Sequence, residues 1–219
     1  MSGRSEVVSC IDMSLGEGAQ AYKEGRYEAA AKAFEEYIKT DGDHLQAHLL
    51  AGKAWQQAQQ YDKAMAIYQH YYTRHPTSAV GVYHQSLLQT QLGNYPKALT
   101  LSELAVAVEP THLPSHNAMG FILTQLERYD DALLAFDKVL AVEGENAYAL
   151  ENKGYTQYMQ GAYSGAIHSL TACISLHPSS STAFAHRGRT LMALQRYRES
   201  GDDLRKAVEA QSEEGGTWM

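Results

Sequence analysis

Small, apolar and aromatic positions return along this chain at one fixed interval. A tyrosine followed three residues later by a small residue occurs as Tyr27/Ala30, Tyr61/Ala64, Tyr95/Ala98, Tyr129/Ala132, Tyr163/Ala166 and Tyr197/Ser200, and every step is 34 residues. Nine residues before each tyrosine lies another small residue: Gly18, Gly52, Ser86, Gly120, Gly154 and Gly188. Fifteen after it comes a residue expected to end a helix: Gly42, Pro76, Pro110, Gly144, Pro178 and Ser212. This self-similarity predicts six units without insertion or deletion, at 11–44, 45–78, 79–112, 113–146, 147–180 and 181–214. A short segment, 1–10, precedes this single domain at 11–214, and a tail, 215–219, follows it.

Each unit reads as two short helices. In the second unit these are Ala47 to Gln60 and Tyr61 to Arg74, the latter stopping ahead of Pro76 because proline cannot continue a helix. Small residues at the eighth and twentieth places let the paired helices approach closely, where bulky ones would wedge them apart. The tyrosine between them supplies a large apolar body and a polar tip, a packing role at a repeated position.

Small, aromatic, small, aromatic and proline positions in a 34-residue unit resemble the tetratricopeptide repeat family, over residues 11–214. The sequence departs from that pattern at Ser14, His48 and His116, where a bulky residue is usual, and at Ser102, where an aromatic is usual. The resemblance implies an all-α, right-handed superhelical solenoid of antiparallel helix pairs. Its concave face, lined by the first helices, would hold a peptide or protein segment.

Composition agrees with a folded chain that stays in water: 44% hydrophobic and 20% charged residues. The formal net charge of −7 is spread evenly, with 9 basic and 12 acidic side chains in 1–112 and 9 and 13 in the remainder. No basic field is present to attract nucleic acid or an anionic membrane, and neither partner is expected. Val7 to Ile11 is too short an apolar stretch for a secretory signal, so a cytoplasmic location without membrane insertion is expected. An array of repeats exposes an apolar face at each end. The charged residues of the last helix, Arg198, Asp202, Asp203, Arg205, Lys206 and Glu209, read as its own cap, and Trp218 as either an intramolecular or an intermolecular contact.

No catalytic motif stands out: no nucleophile elbow, phosphate loop, H-E-x-x-H or paired cysteines. The expectation is a non-enzyme without a cofactor. His44/His48 and His112/His116 have the four-residue spacing of a helical metal pair, but His44 and His112 fall in the connection before the helix and neither pair has a third ligand. Cys173 with His168 or His177 could suggest a thiol nucleophile, and its apolar helical setting argues for a small core residue instead.

In the family geometry, places 2, 5, 9, 12 and 13 of a unit face the groove. The peptide-binding expectation rests on Tyr83 and Leu87 in the third unit, Asn117 and Phe121 in the fourth, Tyr148, Asn152, Tyr155 and Tyr158 in the fifth, and Arg189 in the sixth. Their aromatic and amide character suits a segment held by ring contacts and backbone hydrogen bonds. The same rings at 83, 121 and 155 could equally fill space between first helices. No unit has the Lys and Asn set of the family branch that grips chaperone carboxylate tails, so a co-chaperone role is disfavoured. A self-assembling scaffold, a homo-oligomer joined through array ends or groove, stays open as a second reading.

Overall fold

The computed structural model of the chain describes the backbone of residues 15–215 and the side chains of 15–211. Ser14 and Trp218 lie outside the described residues, so the expectations placed on them have no structural counterpart. Among the described residues there are twelve helices and no strand. They are α1 (residues 15–23), α2 (Tyr27–Thr40), α3 (Leu45–Gln57), α4 (Tyr61–Arg74), α5 (Val80–Gln91) and α6 (Tyr95–Val108). They continue as α7 (Leu113–Gln125), α8 (Tyr129–Val142), α9 (Ala147–Met159), α10 (Tyr163–Leu176), α11 (Ser181–Ala193) and α12 (Tyr197–Gly215). Two compact units divide the chain after His112, one holding α1 to α6 and the other α7 to α12.

Each second helix opens on the repeated tyrosine, and α2, α4, α6, α8 and α10 stop two residues before the expected Gly or Pro. The first helix of the second repeat departs from its expected bounds: α3 runs Leu45–Gln57, not Ala47 to Gln60. The reason for the earlier end lies in the turn. Gly25, Gln59, Gly93, Glu127, Gly161 and Gln195, again 34 apart, all take the left-handed conformation, with φ between 59° and 83°. In the second repeat, Gln59 N–H donates to the Gln56 carbonyl and Gln60 N–H to the Trp55 carbonyl, the paired bonds that close a helix on a left-handed residue. At the other end, α12 passes through Ser212, which carries no helix-breaking property, and runs to Gly215.

The helix pairs meet as the small positions require. A Cβ added at Gly120 would lie 2.6 Å from the Phe136 ring, and one at Gly188 2.9 Å from Leu204. Gly18, Gly52 and Gly154 face Phe34, Tyr68 and Leu170 in the same way. The third repeat carries serine at both places, Ser86 and Ser102, so where the glycine gains a hydroxyl its aromatic counterpart is absent. Both serines are buried, and Ser86 donates to the Ala98 carbonyl across the pair at 2.9 Å. Ser200, in place of the usual alanine, donates to the Gly188 carbonyl at 2.8 Å. The other small residues of the second helices, Ala30, Ala64, Ala98, Ala132 and Ala166, have no exposed surface.

Cores form within each unit. In the first, Ala31, Phe34, Ala51, Trp55, Tyr68 and Leu88 belong to one cluster, with Tyr61 packed against it, and the Trp55 indole donates to Glu35 at 2.6 Å. In the second, Ala166, Leu170, Cys173 and Ala183 cluster with Leu150 and Tyr158 around them. Not every charge of α12 faces outward: Asp203 is buried and accepts both prongs of Arg187 of α11 at 2.7 and 2.8 Å. That paired geometry satisfies a carboxylate that would otherwise be costly to bury.

Candidate peptide-binding face

Three of the first helices carry side-chain N-terminal caps. The side chains of His44, Asn146 and Ser180 accept from the N–H groups of Ala47, Ala149 and Ala183, satisfying one orphan donor at the start of α3, α9 and α11. These caps fix where α3, α9 and α11 begin and hence which side chains they present.

In the first unit, α3 and α5 present a network of amides and rings. Tyr68 of α4 donates to Gln56 Oε1 at 2.7 Å, and Gln56 Nε2 donates to Gln91 Oε1 at 3.0 Å. Tyr68 stacks on His84 with ring centroids 5.1 Å apart, while Tyr83 meets His84 and His112 edge-on at 5.0 and 5.3 Å. Burial, then the charges of Lys53 and His112, push the His84 imidazole down to about 4, so it is neutral near pH 7. Burial likewise raises the Tyr83 phenol. Tyr83 and Leu87 are half-buried, and Tyr83 packs against the cluster of Ala79, Val82 and Ala105.

The other seven expected residues all belong to the second unit, on α7, α9 and α11. Asn152 Nδ2 donates to Asn117 Oδ1 at 3.4 Å, joining α9 to α7. Beneath them the buried hydroxyls of Thr124 and Thr156 lie 2.7 Å apart. Tyr155 stacks on His186 of α11, centroids 4.8 Å apart at 30°, and Tyr158 lies against Tyr163 at 6.1 Å. Phe121, Tyr155 and Tyr158 are half-buried, whereas Tyr148 is 73% exposed and Arg189 is exposed. The rings therefore both fill space between helices and show part of their faces.

His186 was not singled out by the sequence pattern. It occupies the sixth place of its unit, as His84 does in the third, and both stack on tyrosines; that recurrence was the available signal. Desolvation lowers the His186 imidazole, partly countered by the negative charge of Glu151. The metal-spaced histidines have other partners. His44 caps α3, and His48, fully buried, donates from Nδ1 to the His44 carbonyl while its Nε2 faces His70 Nδ1 at 3.0 Å. The His112 ring packs on Tyr83. Among the described residues no group of three or more His, Cys, Asp or Glu side chains is gathered to hold a metal ion. Cys173 is 1% exposed and burial pushes its thiol up to about 11, which leaves almost no thiolate at neutral pH. No described helix is long and apolar enough to cross a membrane.

Comparison with known proteins agrees with this architecture. Residues 15–79 match the tetratricopeptide repeat family model, and residues 128–207 match the model of anaphase-promoting complex, cyclosome, subunit 3. No curated protein matches the chain. Among solved structures, a tetratricopeptide repeat protein from Parabacteroides merdae ATCC 43184 shares 18% identity at a TM-score of 0.72, covering 92% of this chain and 80% of that one. YrrB, described as a TPR protein with an unusual peptide-binding site, shares 18% identity at a TM-score of 0.60, covering 83% and 94%. The APC/C hetero-tetramer Cut9-Hcn1 shares 14% identity at a TM-score of 0.77, covering 91% of this chain but 40% of that one. The chain is a tetratricopeptide repeat protein.

Proposed function

We propose that this protein is a protein-interaction scaffold, not an enzyme, and that it holds a polypeptide segment on the face of its first helices. The observation that carries this reading is the second unit's arrangement of Asn117, Phe121, Tyr148, Asn152, Tyr155 and Tyr158. Rings with two rotatable bonds are anchored by neighbours yet partly exposed, beside amides able to bond a peptide backbone. The likeness to YrrB, which has a peptide-binding site, and to Cut9-Hcn1, which is a hetero-tetramer, supports it. Arg189 extends the proposed surface on the second unit; Tyr83 and Leu87 are proposed as contacts on the first unit's own first helix α5.

The test is affinity capture from the native cell extract, followed by calorimetry with the captured partner. Phe121→Ala combined with Tyr155→Ala should weaken binding at least tenfold with helicity unchanged, while Leu134→Ala, at a 62% exposed position of second helix α8, should have little effect. Normal binding by the double variant would remove the reading.

A second reading, self-assembly, draws on the apolar hollow of about 280 Å³ on α11 and α12, lined by Ala185, Leu204, Ala207 and the 67% exposed Val208. Light scattering over a concentration series tests it; a constant monomer mass would discard it.

A further inference from the structure

Within the second unit, the N-terminal ends of α9 and α11 and the C-terminal end of α10 enclose a cleft of about 280 Å³. Its wall includes Tyr148, Glu151, Cys173, His177, Ser180 and Thr182. Pockets for whole small-molecule ligands begin at roughly 300 Å³, so this volume suits one side chain rather than a cofactor.

Glu151 is the charged group in that wall with least compensation. Ser180 donates its hydroxyl to Oε2 at 3.1 Å, and among the described residues no Lys, Arg or His forms an ion pair with the carboxylate. The side chain is half-buried, and its charge is felt at Cys173 and His186, placing it inward between α9, α10 and α11. A neighbouring cleft of about 320 Å³ on α10 to α12 makes the contrast: Arg187 with Asp203 and Arg196 with Glu199 are paired there already.

Helix ends could argue for an anion instead, and the magnitudes decide. Two N-terminal ends and one C-terminal end sum to roughly +0.5 of a charge at most, and two of those ends are already capped by Asn146 and Ser180. Against this stands a full negative charge on Glu151 inside the cleft. Tyr148, 73% exposed at the rim, offers a ring face to a cation. The protein's net charge of −7 favours approach of a basic segment over an acidic one.

We infer that the Glu151–Tyr148 cleft is a specificity pocket for a cationic side chain, so that the segment held on the first helices carries an arginine or lysine at this point. The carboxylate takes the cation, Ser180 holds the carboxylate in place, and Tyr148 covers the aliphatic stem. This pocket deepens the scaffold reading and rests on it.

The probe is the peptide acetyl-Ala-Ala-Arg-Ala-Ala-amide, compared with the same peptide carrying citrulline, a neutral isostere of arginine. Amide chemical shifts of ¹⁵N-labelled full-length protein report the binding. The expected result is saturable shifts at Tyr148, Ser180 and Thr182 with arginine, at least fivefold weaker binding with citrulline, and loss of discrimination in Glu151→Gln. Tyr148→Leu, altered at an exposed position, should weaken the arginine peptide and serves if Glu151→Gln misfolds. Absence of saturable shifts at these amides, or equal binding of the two peptides to the native protein, overturns the inference. If that happens while Phe121→Ala/Tyr155→Ala still releases the captured partner, only the pocket is wrong. If the cleft discriminates but the double variant holds its partner, the face reading fails and overturns the claim that the segment on the first helices supplies the cation, leaving only the cleft's own preference for arginine.

Discussion

Replacing Gly120 by alanine tests the close approach of paired helices on which every repeat depends. The added Cβ would stand 2.6 and 2.7 Å from two ring carbons of Phe136 and 3.0 Å from a third, inside the ~3.5 Å where carbon contacts become favourable. Phe136 has no exposed surface and cannot swing away, so overpacking should cost about 1–3 kcal/mol. Alanine is the better helix former by about 1 kcal/mol, which leaves a net loss of about 0–2 kcal/mol. The sign should reverse once the ring is removed. Phe136→Ala alone costs about 3–5 kcal/mol, and adding Gly120→Ala to it should recover about 1 kcal/mol, because only the propensity gain remains. Urea unfolding followed by circular dichroism, with m-values checked for constancy, gives the four corners of the cycle. If Gly120→Ala changes the midpoint equally in both backgrounds, the contact is not steric and the reason given for the repeated glycine fails.

Other outcomes follow from single residues. His84 is held near 4 when folded against an ordinary 6.5, so the unfolded chain binds the extra proton first. Its contribution is complete above pH 6.5 and is lost as pH falls towards 4, by at most on the order of 3 kcal/mol; His84→Phe should flatten the dependence of the urea midpoint on pH over that window. Asp203→Ala leaves half-buried Arg187 without its carboxylate and should cost up to about 3 kcal/mol, read in the same unfolding assay; a loss under about 1 kcal/mol would show the pair to be solvated. Gln59→Gly relieves a side chain at φ 59° and should stabilise by roughly 0.5–1 kcal/mol, seen as a higher melting temperature. Cys173, raised to about 11, should resist iodoacetamide at pH 7.5 until urea unfolds the chain; rapid native-state labelling would contradict its burial.

Much of the fold was legible because a repeat fixes packing by identity at fixed places. Tyrosines at one place and small residues at two others give the helix starts and the faces that touch, and the structure keeps both. What escaped lies where a position is set by conformation or by partners from another helix. The left-handed turn residue is glycine in three repeats but Gln59, Glu127 and Gln195 in the others, so residue type hid the turn, and the first helix of the second repeat read as reaching Gln60 where α3 ends at Gln57. Asp203 reads in sequence as part of the last helix's charged cap, and only Arg187 on the preceding helix reveals why it is buried. For the candidate face, places 2, 5 and 9 pointed to Tyr148, Asn117 and Tyr155. They could not show that His186 stacks on Tyr155, nor that Glu151 and Ser180 share a cleft, since those contacts join residues 29 to 31 positions apart.

The claim that a polypeptide lies on the first helices is tested most directly by site-specific photocrosslinking. A benzophenone amino acid is placed singly at Phe121, on first helix α7, and at Leu134, on second helix α8, in the full-length protein. With the captured partner bound, the probe at position 121 should form the covalent adduct and the probe at 134 should not. Adducts from 134 with none from 121 would place the partner on the second helices and contradict the account.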